Sequence, residues 1–151
     1  MGTPRAVLVR RTTELDELVA HHGTRGQAEF FLRTREQSIE PLVQRHQGTQ
    51  AARQTVLAAV PPDWRRAEVE RAELARFVFE PDDVVIVVGQ DGLVANVAKY
   101  LGAQPVIGID PLPGANPGVL VPHPAAATGD LVRDVVAGRA AYLERTMVRA
   151  V

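Results

Sequence analysis

The sequence of 151 residues has no cysteine and almost no net charge, and each absence narrows the possible functions. Without cysteine there is no disulfide framework and no thiolate zinc site, and nothing indicates secretion. A net charge of -1 gives no electrostatic reason to expect nucleic acid or an acidic membrane as a partner. No apolar run approaches the roughly 20 residues of a membrane span, and the N-terminus has no signal-peptide core. We therefore expect a cytoplasmic protein that binds neither nucleic acid nor membrane.

Familiar catalytic and metal-binding patterns are missing too. The four histidines lack the spacing of metal ligands, and the adjacent His21 and His22 would face different directions on a helix. No Ser/His/Asp set can be assembled, and no Gly-x-Gly-x-x-Gly sequence follows a predicted strand. These absences leave a metal centre, a serine hydrolase and a Rossmann dehydrogenase without support.

The most informative segment is Val84–Asn96, where five β-branched residues precede a glycine-containing turn and a helical pattern. Such a strand is buried on both faces, as in parallel sheets covered by helices. In these sheets, ligands bind at the turns that follow the carboxyl ends of the strands. Gly89 and Gly92 would present backbone N–H groups to an anion, with the carboxylate of Asp91 beside it. The segment therefore predicts a phosphate-binding turn.

The remaining pattern alternates strands with helices and predicts one doubly wound α/β domain over residues 1–151, with a mostly parallel sheet flanked by helices. We expect strands at 5–9, 64–69, 83–88, 105–109 and 118–121, and helices at 14–22, 26–60, 92–101 and from about 128 onward. Pro41 either starts a fresh helix or kinks one long helix, and the sequence does not choose between them. Thr128 or Asp130 would cap the last helix, whose apolar positions are Val132, Val136, Ala140, Leu143 and Met147. The buried stripe of the helix after the turn should consist of Val94, Val97, Ala98 and Leu101.

Two further polar segments are expected near the turn. The sequence Arg10-Arg11-Thr12-Thr13 follows the first strand, where it would either donate hydrogen bonds to phosphate or simply solvate the strand end. Asp110 begins a stretch rich in proline, glycine and alanine. This composition is explained either by a structural linker or by a loop that contacts the ligand. Because carboxyl ends of parallel strands share one edge of the sheet, this loop should rise over the same edge as Asp91.

The strand and turn Val84–Gly92, the following helix and the strand Gln104–Asp110 resemble the nucleotide-binding half of the ATP-NAD kinases. The signature of that family is a hydrophobic strand, a Gly-Gly-Asp-Gly turn, a helix and a strand ending in Gly-Ile-Asn. The resemblance covers about residues 83–121. It implies a phosphotransferase of NADP biosynthesis, with ATP or polyphosphate as phosphoryl donor, Mg²⁺ neutralising charge, and NAD as the acceptor.

The resemblance also implies roles for individual residues. Asp91 would be the catalytic base that takes the proton from the 2′-hydroxyl of the NAD adenosine ribose, in a reaction that depends mostly on positioning and charge neutralisation. The nucleotide- and phosphate-binding residues at the positions of the signature are Gly89, Gln90, Gly92 and Asp110, and no metal ligand is assigned. Arg10 and Arg11 of the polar loop after the first strand are added to them as candidate phosphate-binding residues. Gln90 replaces the second glycine of the signature and would either narrow the phosphate site or donate an amide hydrogen bond. Leu93 removes a potential hydroxyl ligand. Asp110 replaces the asparagine, and would repel phosphate unless Mg²⁺ or a ribose hydroxyl engages it.

Members of that family continue into an all-β domain with an Asn-Glu pair, which is absent from this sequence. We therefore expect an N-terminal half that binds nucleotides without appreciable turnover. We also expect a homo-oligomer, because such a half exposes the apolar surface that the second domain would cover. The alternative is a non-catalytic nucleotide-binding or assembly module that kept the fold while its turn diverged. Analogy of fold does not separate the two.

Overall fold

The computed structural model describes residues 3–114 and 118–138, which form a parallel five-stranded sheet between two layers of helices. The strands are β1 (Arg5–Arg10), β2 (Arg65–Glu70), β3 (Val84–Val88), β4 (Val106–Asp110) and β5 (His123–Pro124). The α-helices are α1 (Glu14–His22), α2 (Arg25–Thr34), α3 (Glu40–Ala59), α4 (Asp91–Ala98) and α5 (Thr128–Val136). Short 3₁₀ turns lie at Arg71–Arg76 and Ala125–Ala127. The expected α/β class with a parallel sheet is confirmed.

The strand order is β2-β1-β3-β4-β5, so β1 and β3 are neighbours at the middle of the sheet. From β1 the chain passes through α1, α2 and α3 to the edge strand β2, whereas from β3 it passes through α4 to β4 on the other side. The connections therefore leave these two strands in opposite directions. At such a switch point the loops separate and leave a crevice at the carboxyl ends of the strands.

The sheet is buried on both faces, as the run of β-branched residues in β3 predicts. One face packs against α3 and α5 through a cluster formed by Ala6, Leu8, Ala52, Val56, Val60, Val84, Ile86, Val88, Ile107, Ile109 and Val132. The other face packs against α4 and the first 3₁₀ turn through Val7, Val9, Val69, Leu74, Val85, Val87, Leu93 and Val97. Full burial of an aliphatic side chain of this size contributes about 1.5–3 kcal/mol. The two clusters therefore hold β1 and β3 rigidly in the centre and fix the loops at their ends.

A buried ion pair lies at the amino edge of the sheet, opposite the crevice. The side chain of Asp83 is fully buried, and its carboxylate accepts hydrogen bonds from Arg5 Nε at 2.9 Å and from Arg5 Nη2 at 2.6 Å. A third hydrogen bond comes from the backbone N–H of Glu80 at 2.8 Å. The Arg5 guanidinium also lies 5.1 Å from the centre of the Phe77 ring. These contacts join the start of β1 to the start of β3, and they therefore stabilise the fold at this edge of the sheet.

The helical region before β2 contains three helices separated by two breaks. Gly23 ends α1 with a φ of 88°, as expected for a glycine that stops a helix. Glu36 has a φ of 57°, which interrupts the helical pattern between α2 and α3. Pro41 lies in the first turn of α3, where its missing N–H costs nothing. Pro41 therefore marks a fresh helix start and does not kink a longer helix.

The predicted strand at 118–121 is wrong, because the ladder with β4 begins at His123. The backbone N–H groups of Val119 and Leu120 instead bind the carboxylate of Asp91. The segment still passes close to the sheet, since a Cβ added at Gly108 of β4 would overlap the carbonyl oxygen of Leu120. The side chain of Asp91 thus takes the hydrogen bonds that a strand would need.

Several helix details also differ from the expectation. Thr128 does not cap α5: its buried hydroxyl donates to the carbonyl of Ala125 at 2.8 Å, because a 3₁₀ turn leads directly into the helix. Asp130 lies inside the first turn, and Val136 is exposed. In α4 the buried residues are Leu93 and Val97, whereas Val94 and Ala98 are only partly buried. The helix ends at Ala98, so the partly buried Leu101 lies beyond it. The predicted positions Ala140, Leu143 and Met147 lie outside the described residues.

None of the helices in the described ranges is both long enough and apolar enough to cross a membrane.

Candidate functional site

A cleft of about 690 Å³ lies at the carboxyl edge of the sheet, at the switch point between β1 and β3. Its walls come from the loop after β1, the first turn of α1, the first half of α3, the turn after β3 and the segments after β2 and β4. The lining residues are Arg11, Thr12, Thr13, Glu14, Glu17, Leu42, Arg45, Thr49, Arg71, Val88, Gly89, Gln90, Gly92, Leu93, Pro111 and Leu112. The cleft therefore lies where the sequence predicts a ligand, and it combines a glycine-containing turn with cationic side chains.

The turn after β3 leads directly into α4. Gln90 is the exposed N-cap residue of this helix and makes no side-chain capping hydrogen bond. The hydrogen bonds of the helix begin with the N–H of Leu93, which donates to the carbonyl of Gln90 at 3.0 Å, so the N–H groups of Asp91 and Gly92 have no partner within the helix. A Cβ added at Gly92 would meet nothing within 4 Å, so the backbone here is open to the approach of a ligand. This part of the cleft is suited to a phosphate, which the positive end of a helix dipole favours.

Gly89 has a structural role as well. Its N–H donates to the carbonyl of Ile109 at 3.1 Å, so it continues the pairing with β4 and is not available to a ligand. A Cβ at this position would lie 2.9 Å from Cδ2 of Leu93, which is buried against the sheet. Leu93, where a hydroxylated residue would be expected from the resemblance, therefore fills the space that the glycine leaves.

The carboxylate of Asp91 holds the loop at 118–120. Oδ1 accepts the N–H of Leu120 at 2.9 Å, and Oδ2 accepts the N–H of Val119 at 3.1 Å. Gln90 and Gly92 line the cleft, whereas Asp91 between them is not among its lining residues. Gly118 permits this contact, since a side chain there would overlap the Asp91 carboxylate. In this geometry Asp91 acts as a brace between α4 and the segment before β5.

The structure separates the two arginines that follow β1. Arg11 lines the cleft, and its Nη2 lies 3.8 Å from Oε1 of Glu17 in α1. Arg10 does not line the cleft, because its Nε donates to Oε1 of Glu68 in β2 at 3.1 Å. Only Arg11 is thus placed to meet a ligand, and Arg10 joins β1 to the edge strand.

Two further cleft arginines come from segments that contain no recognisable motif. Arg45 of α3 lies 3.1 Å from Oε2 of Glu14. Arg71 follows β2 and makes no ion pair with any residue in the described ranges. Three arginines and two glutamates therefore line the cleft, which leaves one net positive charge. Only the sheet topology brings these residues to one place, since they are far apart in the sequence.

Asp110 also lies beside the cleft without lining it. Its Oδ1 accepts the N–H of Leu112 at 2.9 Å, which closes a local turn after β4. Leu112 in turn packs closely against Gly48 of α3, where a side chain would clash with it. Asp110 therefore positions Pro111 and Leu112, which do line the cleft.

Glu70, at the end of β2, fixes the loop that carries the first polar residues. Its carboxylate accepts the N–H of Ala72 at 2.6 Å and the N–H of Thr12 at 3.1 Å. Burial raises the pKa of Glu70, but the two backbone hydrogen bonds outweigh it, and the pKa falls below its ordinary value. The group therefore remains a carboxylate at neutral pH and holds Thr12 at the cleft wall.

The described residues contain no group of three or more His, Asp and Glu side chains that could hold a metal ion. Mg²⁺ commonly binds through one or two carboxylates together with substrate phosphates. Glu14 and Glu17 are the carboxylates that line the cleft. These two side chains are the ones that could hold such an ion at the cleft.

Comparison of the sequence with protein-family models and with curated proteins finds no match in either set. The functional assignment therefore depends on the geometry of the cleft and on the resemblance of the turn after β3.

Proposed function

We propose that the chain is the nucleotide-binding half of an NAD kinase-like phosphotransferase. In this proposal the cleft holds the phosphates of ATP, bound with Mg²⁺, whose γ-phosphoryl group goes to the 2′-hydroxyl of NAD. The supporting observation is that one cleft brings together the first turn of α4 with Arg11, Arg45 and Arg71. Amide N–H groups at a helix start and arginine side chains are the donors that phosphate prefers.

The proposal also covers the type of fold, the cellular location and the oligomeric state. The sheet order agrees with a doubly wound, ligand-binding domain of the kind expected for the first domain of that family. A cytoplasmic location and self-association into a homo-oligomer belong to the same proposal. Gln90, exposed at the rim of the cleft, would contact the phosphates through its amide or limit the room for them.

A second candidate function is that of a non-catalytic nucleotide-binding module, and the geometry of Asp91 favours it. Both carboxylate oxygens of Asp91 already accept backbone N–H groups. Because Asp91 does not line the cleft, a base at this position would have to leave these hydrogen bonds in order to reach a ribose hydroxyl there. Both candidates share the nucleotide in the cleft, and they differ in whether Asp91 takes a proton.

Binding of ATP to the chain, measured by calorimetric titration in the presence of Mg²⁺, tests the feature that both candidates share. The informative variant is Arg71→Gln, which removes the cleft arginine that has no ion pair within the described ranges. The matched control is Arg76→Gln, in the same 3₁₀ turn but outside the cleft, where Arg76 faces Glu73 at 3.5 Å. Loss of a charge-assisted hydrogen bond should weaken ATP binding about tenfold in the first variant, with little change in the second. No ATP binding, or equal effects of the two variants, would contradict the proposal.

Catalysis is tested separately, by NADP formation from ATP, Mg²⁺ and NAD. The family resemblance assigns most acceptor-binding residues to a further domain, so the acceptor hydroxyl would not be positioned by this chain alone. We therefore expect nucleotide binding with negligible NADP formation. Robust turnover by this chain alone would show that the acceptor site is here.

A further inference from the structure

A threonine in the wall of the cleft is paired with an imidazole behind it, and the proposed function does not use this pair. Thr13, which lines the cleft, has its Oγ1 atom 2.7 Å from Nδ1 of His46 in α3. The two residues are 33 positions apart in the sequence. The pair is therefore a product of the fold, and no local motif indicates it.

The surrounding hydrogen bonds allow the hydroxyl proton of Thr13 to point to the imidazole of His46. Thr13 is the N-cap residue of α1, and its Oγ1 accepts the N–H of Asp16 at 3.1 Å. With that acceptor position occupied, the O–H can point to Nδ1 of His46 when the imidazole carries its proton on Nε2. A carboxylate oxygen of Asp16 lies 3.6 Å from the same Nδ1, where it would stabilise the imidazolium formed on proton transfer. A hydroxyl is thus in hydrogen-bond contact with an imidazole, the pairing through which a neighbouring base activates an oxygen nucleophile.

We propose that Thr13 is a phosphoryl-acceptor site, modified by the nucleoside triphosphate that occupies the cleft. This inference rests on the proposed function, which brings the donor to the same cleft. In the reaction, Oγ1 of Thr13 forms a bond to the γ-phosphorus, the bond from that phosphorus to the bridging oxygen breaks, and the nucleoside diphosphate leaves. The hydroxyl proton passes to Nδ1 of His46, so atoms and charge balance.

The position suits the product as well as the reaction. A phosphate on an N-cap residue lies at the positive end of α1, where helix dipoles favour negative charge. Arg11 and Arg45 line the same cleft and can pair with the new phosphate. Pairing would release them from Glu17 and Glu14, which now face them at 3.8 and 3.1 Å. Phosphorylation of Thr13 would therefore reorganise the charges of the cleft.

The test is mass spectrometry of the purified chain after incubation with ATP and Mg²⁺. We expect the mass of one phosphoryl group to be added, and fragmentation of the peptide that follows Arg11 should place it on Thr13. Thr24, which lies in the same peptide, caps α2 away from the cleft and provides an internal comparison.

Three variants distinguish the mechanism from a purely structural cap. Thr13→Ser should accept phosphate, whereas Thr13→Asn should not, although asparagine is an equally good N-cap and should preserve the fold. His46→Gln should slow the reaction roughly 100-fold, the usual scale for loss of a positioned base. The control Thr55→Val changes an exposed threonine of α3 outside the cleft and should leave the rate unchanged.

The outcomes separate this inference from the proposed function. ATP binding in the calorimeter without phosphate on Thr13 overturns the inference and leaves the proposed function standing. Absence of ATP binding overturns both. Equal phosphorylation of the wild type and the His46→Gln variant would also overturn the inference, because the imidazole would then not be the base.

Discussion

Replacement of Asp91 by asparagine distinguishes a catalytic base from a structural brace. Asparagine has nearly the shape of aspartate, but it has only one acceptor oxygen, and its NH₂ group is a donor. In the native structure the two carboxylate oxygens accept the N–H groups of Val119 and Leu120 at 3.1 and 2.9 Å. The variant can keep one of these bonds at most, and its NH₂ group then faces the N–H that lost its partner.

The expected loss of stability follows from these contacts. A hydrogen bond to a charged group contributes about 1.5–3 kcal/mol, and the lower end applies here because the contact with Val119 is exposed. Loss of a negative charge in the first turn of α4 adds about 0.5 kcal/mol. The sum is about 2 kcal/mol, which in a domain of this size lowers the melting temperature by about 4–8 °C.

Thermal melts followed by circular dichroism measure this difference, and hydrogen exchange at the amides of Val119 and Leu120 locates it. Asp82→Asn is a matched control, since Asp82 is exposed and its side chain makes no hydrogen bond within the described ranges. An unchanged melting temperature for the Asp91→Asn protein would refute the bracing role. That result, together with a loss of roughly 100-fold in NAD phosphorylation relative to the wild type, would make Asp91 the base.

Three further changes have outcomes that the structure predicts. Asp83→Asn should lower the free energy of unfolding by about 3 kcal/mol, because the partly buried guanidinium of Arg5 loses the carboxylate that it pairs with. Urea unfolding measures this loss, and an unchanged unfolding midpoint would contradict it. Gly108→Ala should lower the free energy of unfolding by about 2–3 kcal/mol, since the added Cβ would overlap the backbone that leads to β5. Unchanged stability of this variant would show that the backbone can move away. The hydrogen bond from Arg53 lowers the pKa of Glu68 below its ordinary value of 4.5. The stabilisation by this carboxylate is therefore complete above that value and is lost as the pH falls through the lower pKa of the folded state. Glu68→Gln should flatten the decline of unfolding free energy with acid, and an unchanged pH profile would exclude this contribution.

The buried strand β3 could be predicted from sequence because its five β-branched residues carry the information locally. All five are at most 3 % exposed, as a strand between two helical layers requires. The stop of α1 at Gly23 is local in the same way. The region before β5 could not be predicted, since its hydrogen bonds depend on Asp91, 28 residues before Val119. A short apolar run followed by proline is compatible with either a strand or a braced loop.

The candidate site was predictable only in part for a similar reason. The turn from Gly89 to Gly92 and the polar loop at Arg11 directly follow predicted strands, and the carboxyl ends of parallel strands lie at one edge of the sheet. Both segments line the cleft. Arg45 and Arg71 also line it, but one lies within a helix and the other after an edge strand, without a motif. Their positions follow from the packing of α3 against the sheet and from the pairing of β2 with β1.

Two of the three arginines in the cleft are paired with glutamates, and this pairing affects which anions the cleft would bind. Arg11 and Arg45 each face a glutamate of α1, so a ligand that uses them must replace those carboxylates. A single inorganic phosphate would gain Arg71 and the start of α4, but it carries too little charge to compete at both ion pairs. A chain of phosphates can engage Arg71 and the helix start with one end and the paired arginines with the other. Exposed ion pairs contribute only about 0–1 kcal/mol each, so their replacement is not costly. If the cleft binds nucleotides as proposed, we expect di- and triphosphates to bind more tightly than monophosphates, and raised salt to weaken their binding.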